Sequence, residues 1–112
     1  MKLLVKSANA NASGIVQVKN TGGVLYSLSG NYLDSAANAS IWVQLYDLAA
    51  GGTPAVGSLV NEQICYKGSS TNFNDLASGR WFNNGIMVVI SSTPQTPTAV
   101  TDQKFRVYAQ YV

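Results

Sequence analysis

The sequence predicts an all-β protein: an antiparallel β-sandwich, jelly-roll or immunoglobulin-like, of about 7–8 strands. Three observations carry that expectation. Short segments rich in β-branched and aromatic residues recur at fairly even spacing between clusters of Gly, Asn, Ser and Pro. No apolar periodicity of helical type persists beyond a turn. Two connections are long enough to pass from one sheet to the other. The 112 residues suffice for one domain, which would bury roughly 65% of its unfolded surface. Residues 14–112 are expected to form the sandwich and residues 1–13 an N-terminal strand or arm.

In chain order, Leu3–Ser7 is either a first strand or an arm that pairs with a neighbouring subunit. Gly14–Lys19 alternates Val16 and Val18 with Gln17 and Lys19, the pattern of a half-buried strand. Asn20-Thr21-Gly22-Gly23 supplies residues that tolerate positive φ, so a tight reversal is expected there, with Val24–Leu33 as the second arm of a hairpin. In that arm Val24, Tyr26 and Leu28 share one face, Leu25, Ser27 and Ser29 the other, and Gly30 marks a bulge or a close backbone approach. Ser40–Asp47, reading S-I-W-V-Q-L-Y-D, is the expected central strand. Its Ile41, Val43 and Leu45 make an apolar face and its Trp42, Gln44 and Tyr46 an amphipathic, uncharged one, so both faces need cover.

Leu48–Gly57, with Gly51-Gly52 and Pro54, is long for a hairpin and is expected to cross between sheets. Ser58–Tyr66 alternates indistinctly, as an edge or bent strand does. Lys67–Asn83 reads as an ordered excursion, because Phe73, Leu76, Trp81 and Phe82 are large apolar side chains that need burial. Asn83-Asn84-Gly85 turns the chain into I-M-V-V-I-S-S, whose continuous apolar run implies cover on both faces and a second central strand. Pro94 and Pro97 keep Thr93–Thr101 in an extended loop. Lys104–Val112 closes the chain with Phe105, Val107, Ala109 and Tyr111 inward and Lys104, Arg106, Tyr108 and Gln110 outward.

Composition excludes several classes of function. Charged residues make up 11% of the chain, against about a quarter in typical proteins, so Ser, Thr, Asn, Gln and Gly must form most of the surface. The net charge is +2 and the seven basic residues are dispersed, so no nucleic-acid partner is expected. Only three apolar residues separate Lys2 from Lys6, short of a signal-peptide core, and no segment approaches a membrane span. Synthesis in the cytosol and no membrane partner are expected.

The single cysteine, Cys65, rules out an internal disulfide and a multi-cysteine zinc site, and reads as a buried thiol. There is no histidine, which removes Ser-His, Cys-His and His-metal constellations. The five carboxylates, Asp34, Asp47, Glu62, Asp75 and Asp102, are scattered and form no local acid pair. Asn72-Phe73-Asn74-Asp75 brings oxygen ligands close together but lacks the remainder of a calcium loop. No catalytic residue, metal or cofactor is therefore expected. The aromatic residues Trp42, Tyr46, Trp81, Phe82, Tyr108 and Tyr111 belong to the core, to a sugar-stacking platform or to a protein interface. The interface candidates are Trp42, Gln44, Tyr46, Trp81 and Tyr108.

V-L-Y-S-L-S-G (Val24–Gly30), W-V-Q-L-Y-D (Trp42–Asp47), F-N-N-G-I-M-V-V-I-S-S-T (Phe82–Thr93) and F-R-V-Y-A-Q-Y (Phe105–Tyr111) follow one another in an order that resembles small virion proteins of tailed bacteriophages. The group in question is the capsid decoration or cement proteins. The resemblance covers most of the chain from Gly14 onward and is carried by strand cores and turns, with no counterpart for Lys67–Arg80. It implies a non-enzymatic β-sandwich on the head shell, often a trimer, with the major capsid protein as partner and the capsid surface as location. A second expectation is a carbohydrate- or receptor-binding module of a tail or head fibre, stacking sugars on Trp42, Trp81 and Tyr108. Exposed, roughly coplanar rings beside Asn or Asp would favour that module; buried rings would not.

Overall fold

The computed structural model describes residues 2–102 and 104–112. Among these residues nine strands follow in the order β1 (Leu4–Asn9), β2 (Ile15–Lys19), β3 (Gly23–Tyr32), β4 (Ser40–Tyr46), β5 (Leu59–Tyr66), β6 (Ser70–Asn72), β7 (Arg80–Phe82), β8 (Ile86–Ser91) and β9 (Phe105–Tyr111), with single turns of 3-10 helix at Val56–Ser58 and Asn74–Leu76. They form two antiparallel sheets packed as a β-sandwich. A five-stranded sheet runs β1-β9-β3, and the far edge of β3 is shared by β6 and β7. A four-stranded sheet runs β2-β8-β4-β5.

Both expected central strands are internal to the four-stranded sheet. Ile41, Val43 and Leu45 of β4 and Ile86, Val88 and Ile90 of β8 point between the sheets and are buried. Opposite them stand Leu25, Leu28 and Tyr32 of β3 and Phe105, Val107 and Ala109 of β9. This is the inward set predicted for the last strand, except that Tyr111 is only partly covered. The rings of Tyr32 and Phe105 lie 6.3 Å apart between centroids, tilted by 44°. Cys65 is buried among these residues, and burial pushes its thiol pKa up.

Three local features differ from the sequence reading. First, β2 and β3 are not a hairpin: β2 pairs with β8 and β3 with β9, so the chain passes from sheet to sheet at Asn20–Gly22. The two glycines serve close packing instead of a reversal, and neither adopts a positive φ. A Cβ on Gly22 would lie 2.7 Å from the Asn83 carbonyl, and one on Gly23 would overlap the Val112 carbonyl. Turn-forming residues show that the chain bends, but the apolar faces of Val16 and Val18 decide which sheet each arm joins.

Second, Leu48–Gly57 does not cross between sheets, because β4 and β5 are antiparallel neighbours. The extra length lies over the outer side of the sheet: Leu48 packs on Tyr46, Met87 and Val89, and the Ala50 N–H donates to Asn20 Oδ1 at 2.7 Å. Third, the register of β3 shifts between Leu25 and Ser27. That bulge puts both Leu25 and Leu28 inward, each fully buried, where strict alternation separated them.

Gly30 is then explained by close approach, since a Cβ there would run into the Phe105 ring. The excursion Lys67–Asn83 is ordered through β6 and β7, and buries Phe73, Leu76 and Phe82. Trp81 is the exception: it is 79% exposed. At the other terminus, β1 is aligned with β9 of its own chain from Leu4–Tyr111 to Asn9–Arg106.

Replacing Gly30 with Ala should lower the unfolding free energy by about 1–3 kcal/mol, the usual cost of overpacking. Urea denaturation measures it. Adding Phe105→Leu should cost less in the Gly30→Ala background than alone, because the smaller side chain relieves the overlap.

Candidate functional site

The sandwich has two outer faces, and the sequence makes them unlike. On the four-stranded sheet the outward side chains of the two inner strands are themselves apolar or uncharged, so the face cannot be left to water. Tyr46, Met87 and Val89 form a second buried cluster with Ile15, Leu48 and Leu59 around it. Gln44 is fully buried beside them. Its Nε2 donates to Glu62 Oε2 at 2.9 Å and to the Thr93 carbonyl at 3.3 Å, while its Oε1 accepts from the Tyr46 hydroxyl at 2.9 Å. Glu62 Oε2 also accepts from the Gln95 N–H at 2.7 Å, and Ser91 Oγ donates to the carbonyls of Thr93 and Thr96.

The Thr93–Thr98 loop is thereby held over this face from one side and Leu48 from the other. Burial, with the Glu62 charge as a smaller contribution, pushes the Tyr46 phenol pKa up to about 12. Gln44 and Tyr46 are therefore not interface residues, because their own chain covers them. The alternation of β4 required cover for this face without specifying its source. Trp42, aligned with Ser91 and Ile64, remains half-buried at the open end of the same face.

Among the described residues, the outer face of the five-stranded sheet has no such cover. Its rows, read across β1, β9 and β3, are Val5–Gln110–Ser27, Ser7–Tyr108–Ser29 and Asn9–Arg106–Asn31, with Asn72 and Ser70 of β6 extending the last two. At one end Trp81 stands beside Val24. Tyr108 is 38% exposed and Val5 69%. The structure thus brings Trp81 and Tyr108 onto one face and leaves Trp42 on the opposite side of the sandwich. A three-ring platform is not formed.

The residue that the sequence reading passed over is Arg106. Its guanidinium donates from Nη1 to Asn9 Oδ1 at 3.0 Å and from Nη2 to Ser7 Oγ at 2.9 Å. It also lies 5.7 Å from the centroid of the Tyr108 ring. The signal was present in the i, i+2 spacing of an outward Arg and an outward Tyr on one strand. What the sequence did not reveal is that β1 would lie beside them with Ser7 and Asn9.

The carboxylates are occupied elsewhere. Asp47 accepts from the N–H groups of Asn83 at 2.9 Å, Asn84 at 2.8 Å and Gly85 at 3.4 Å, pinning the turn that enters β8. Burial pushes its pKa up, but these three donors outweigh it and the net displacement is downward. Asp75 accepts from Asn61 Nδ2 at 2.9 Å, and Asp102 caps the Lys104 N–H at 3.1 Å. Among the described residues no three His, Cys, Asp or Glu side chains gather as a metal site. No helix among them is long and apolar enough to cross a membrane. At one end of the sandwich lie two shallow polar hollows of about 290 and 270 Å³, the first around Asn31, Asp34 and Ser70, the second around Asn38, Ser92 and Asp102.

Two measurements check this geometry. Acrylamide should quench the fluorescence of Trp42→Phe, which retains only Trp81, much more strongly than that of Trp81→Phe. Asp47→Asn should cost about 1 kcal/mol at neutral pH, kept low by solvent screening of a partly exposed group. Because the folded pKa of Asp47 is depressed, its contribution is complete above the unfolded value of about 4 and is lost as pH falls through the folded value. The stability difference between wild type and variant, measured by urea denaturation, should therefore shrink in acid. In comparisons with known proteins, the chain matches no protein-family model, no curated protein and no solved structure.

Proposed function

We propose that this chain is a non-enzymatic virion structural protein, a decoration or cement subunit on a bacteriophage head that docks through the outer face of its five-stranded sheet. The observation that carries the reading is the composition of that face: Trp81, Tyr108 and Arg106 among Ser, Asn and Gln, with no carboxylate. Tyr, Trp and Arg are the side chains enriched in the centres of protein interfaces, where other charge is scarce. The resemblance to decoration proteins adds the head shell as the surface and the major capsid protein as the partner. Self-association as a trimer belongs to the same reading.

Binding that favours only the assembled shell would stabilise that state by mass action, about 2.7 kcal/mol at a free concentration 100 times Kd. The test is co-sedimentation of the purified chain with heads that lack it, together with the thermal stability of those heads. Retention on the heads and a raised disruption temperature are expected, both weakened by Trp81→Ala. A chain that sediments as a monomer and leaves the heads unoccupied would sink the proposal.

A second reading has one observation in its favour. Trp81 and Tyr108 are exposed on a face that also carries Asn9, Asn31, Asn72 and Gln110, the surroundings expected for a carbohydrate-binding module. Trp42 does not join them. Hits on a glycan array that vanish in Tyr108→Ala would select this reading over the first.

A further inference from the structure

Lys6, Arg80 and Arg106 are the charged residues of the five-stranded sheet's strands, and all three are basic. The carboxylates lie off it: Glu62 on β5, Asp47 after β4, Asp75 in a 3-10 turn, and Asp34 and Asp102 in loops. Lys6 is aligned with the inward Ala109 and Arg80 with the inward Leu25, so both sit at the sheet's margins on the inward parity. Arg106 alone stands outward, on the inner strand β9, in the last row of the face between Asn9 and Asn31.

Its environment is that of a group prepared for a ligand. Asn9 and Ser7 take one N–H from each terminal nitrogen, and the Tyr108 ring lies alongside. These contacts fix the plane of the fork, so little further side-chain freedom is lost when it meets a second acceptor. Arg106 forms no ion pair with any described residue of its own chain. Five donors on a planar cation, two of them engaged, leave capacity for a carboxylate.

We infer that Arg106 is the anchor of the docking face and that the partner surface presents a protein carboxylate to it, with Ser7 and Asn9 of β1 as positioning residues. This rests on the docking face of the proposed function and adds the chemistry of the partner. A guanidinium without an ion pair, on a face whose strands carry no carboxylate, is complemented by a carboxylate, and because Arg106 lines neither hollow at the loop end it meets that group on the open sheet face, as a protein side chain presents it.

The experiment is a titration of the ¹⁵N-labelled chain with poly-L-glutamate, and in parallel with polygalacturonate, in low salt. Poly-L-glutamate should move the Arg106 side-chain Nε–Hε resonance and the amides of β1, β9 and β3, and the response should fade as salt is raised. Arg106→Gln should weaken the apparent affinity roughly tenfold, and Arg106→Lys less, since it keeps the charge but loses the fork. Ser7→Ala with Asn9→Ala should weaken it by about threefold and broaden the Nε–Hε signal, which a merely structural role would leave alone.

An unmoved Arg106 resonance, or equal binding by Arg106→Gln, overturns the inference, as does tighter binding of polygalacturonate, which would transfer the site to a glycan. Well-dispersed spectra of the variants establish that they fold. Retention on heads without any response to poly-L-glutamate overturns this inference alone. The converse result overturns the proposed function alone.

Discussion

Strand β8 sets the terms for the rest of the molecule. All six of its residues are buried, and its side chains are apolar on both parities until Ser91. A strand of that kind has no solvent face, so the fold must supply two hydrophobic contacts for it. The sandwich interior is one. The other is assembled from Tyr46 and Gln44 on β4, Leu48 and the loop behind it, and the Thr93–Thr98 loop. Because Gln44 is polar and buried there, it needs partners, and Glu62, Tyr46 and Thr93 provide them. The loops that follow β4 and β8 serve that requirement.

The same requirement makes the two outer faces unequal. One is consumed inside the chain, and the other is left as a flat field of uncharged polar and aromatic groups around Arg106. The margins of the sheets discourage a different mode of association. Lys6 on β1 and Arg80 on β7 are inward-parity charges at the two margins of the five-stranded sheet, which disfavours addition of a further strand there. In the four-stranded sheet a register shift interrupts β2, and Lys19 turns aside to donate to the Val112 carbonyl at 3.2 Å. At these three margins, contact through a face is favoured over addition of a strand.

Much of this was legible in the residues. The apolar run of β8, the alternation of β9 and the two-sided character of β4 each follow from side-chain periodicity, and periodicity reports on burial directly. What periodicity omits is the identity of the neighbour. It could not show that Val16 and Val24 join different sheets, that Leu48 doubles back instead of crossing, or that Gln44 and Tyr46 are covered by loops of their own chain. Glycine was ambiguous for a related reason: Gly22 and Gly23 are needed because backbone passes close by, and only the packed fold brings Asn83 and Val112 there. Trp81 was expected to be buried because it is large, but in the three-residue β7 it holds the middle position, whose parity is outward, while Phe82 turns inward. Arg106 was visible as an outward residue, but its partners come from the other end of the chain.

That last relation has a consequence for the order of assembly. Every strand of the four-stranded sheet lies between Ile15 and Ser91, whereas the five-stranded sheet places β9 between β1 and β3. Until the final strand arrives, β1 has no partner in that sheet. Ordering of Arg106 by Asn9 closes a sequence separation of 97 residues, the kind of distant pairing that makes β-rich chains slow to fold. The outward face with its arginine is complete only once β9 has paired with both β1 and β3, so it reports the joining of the two ends of the chain.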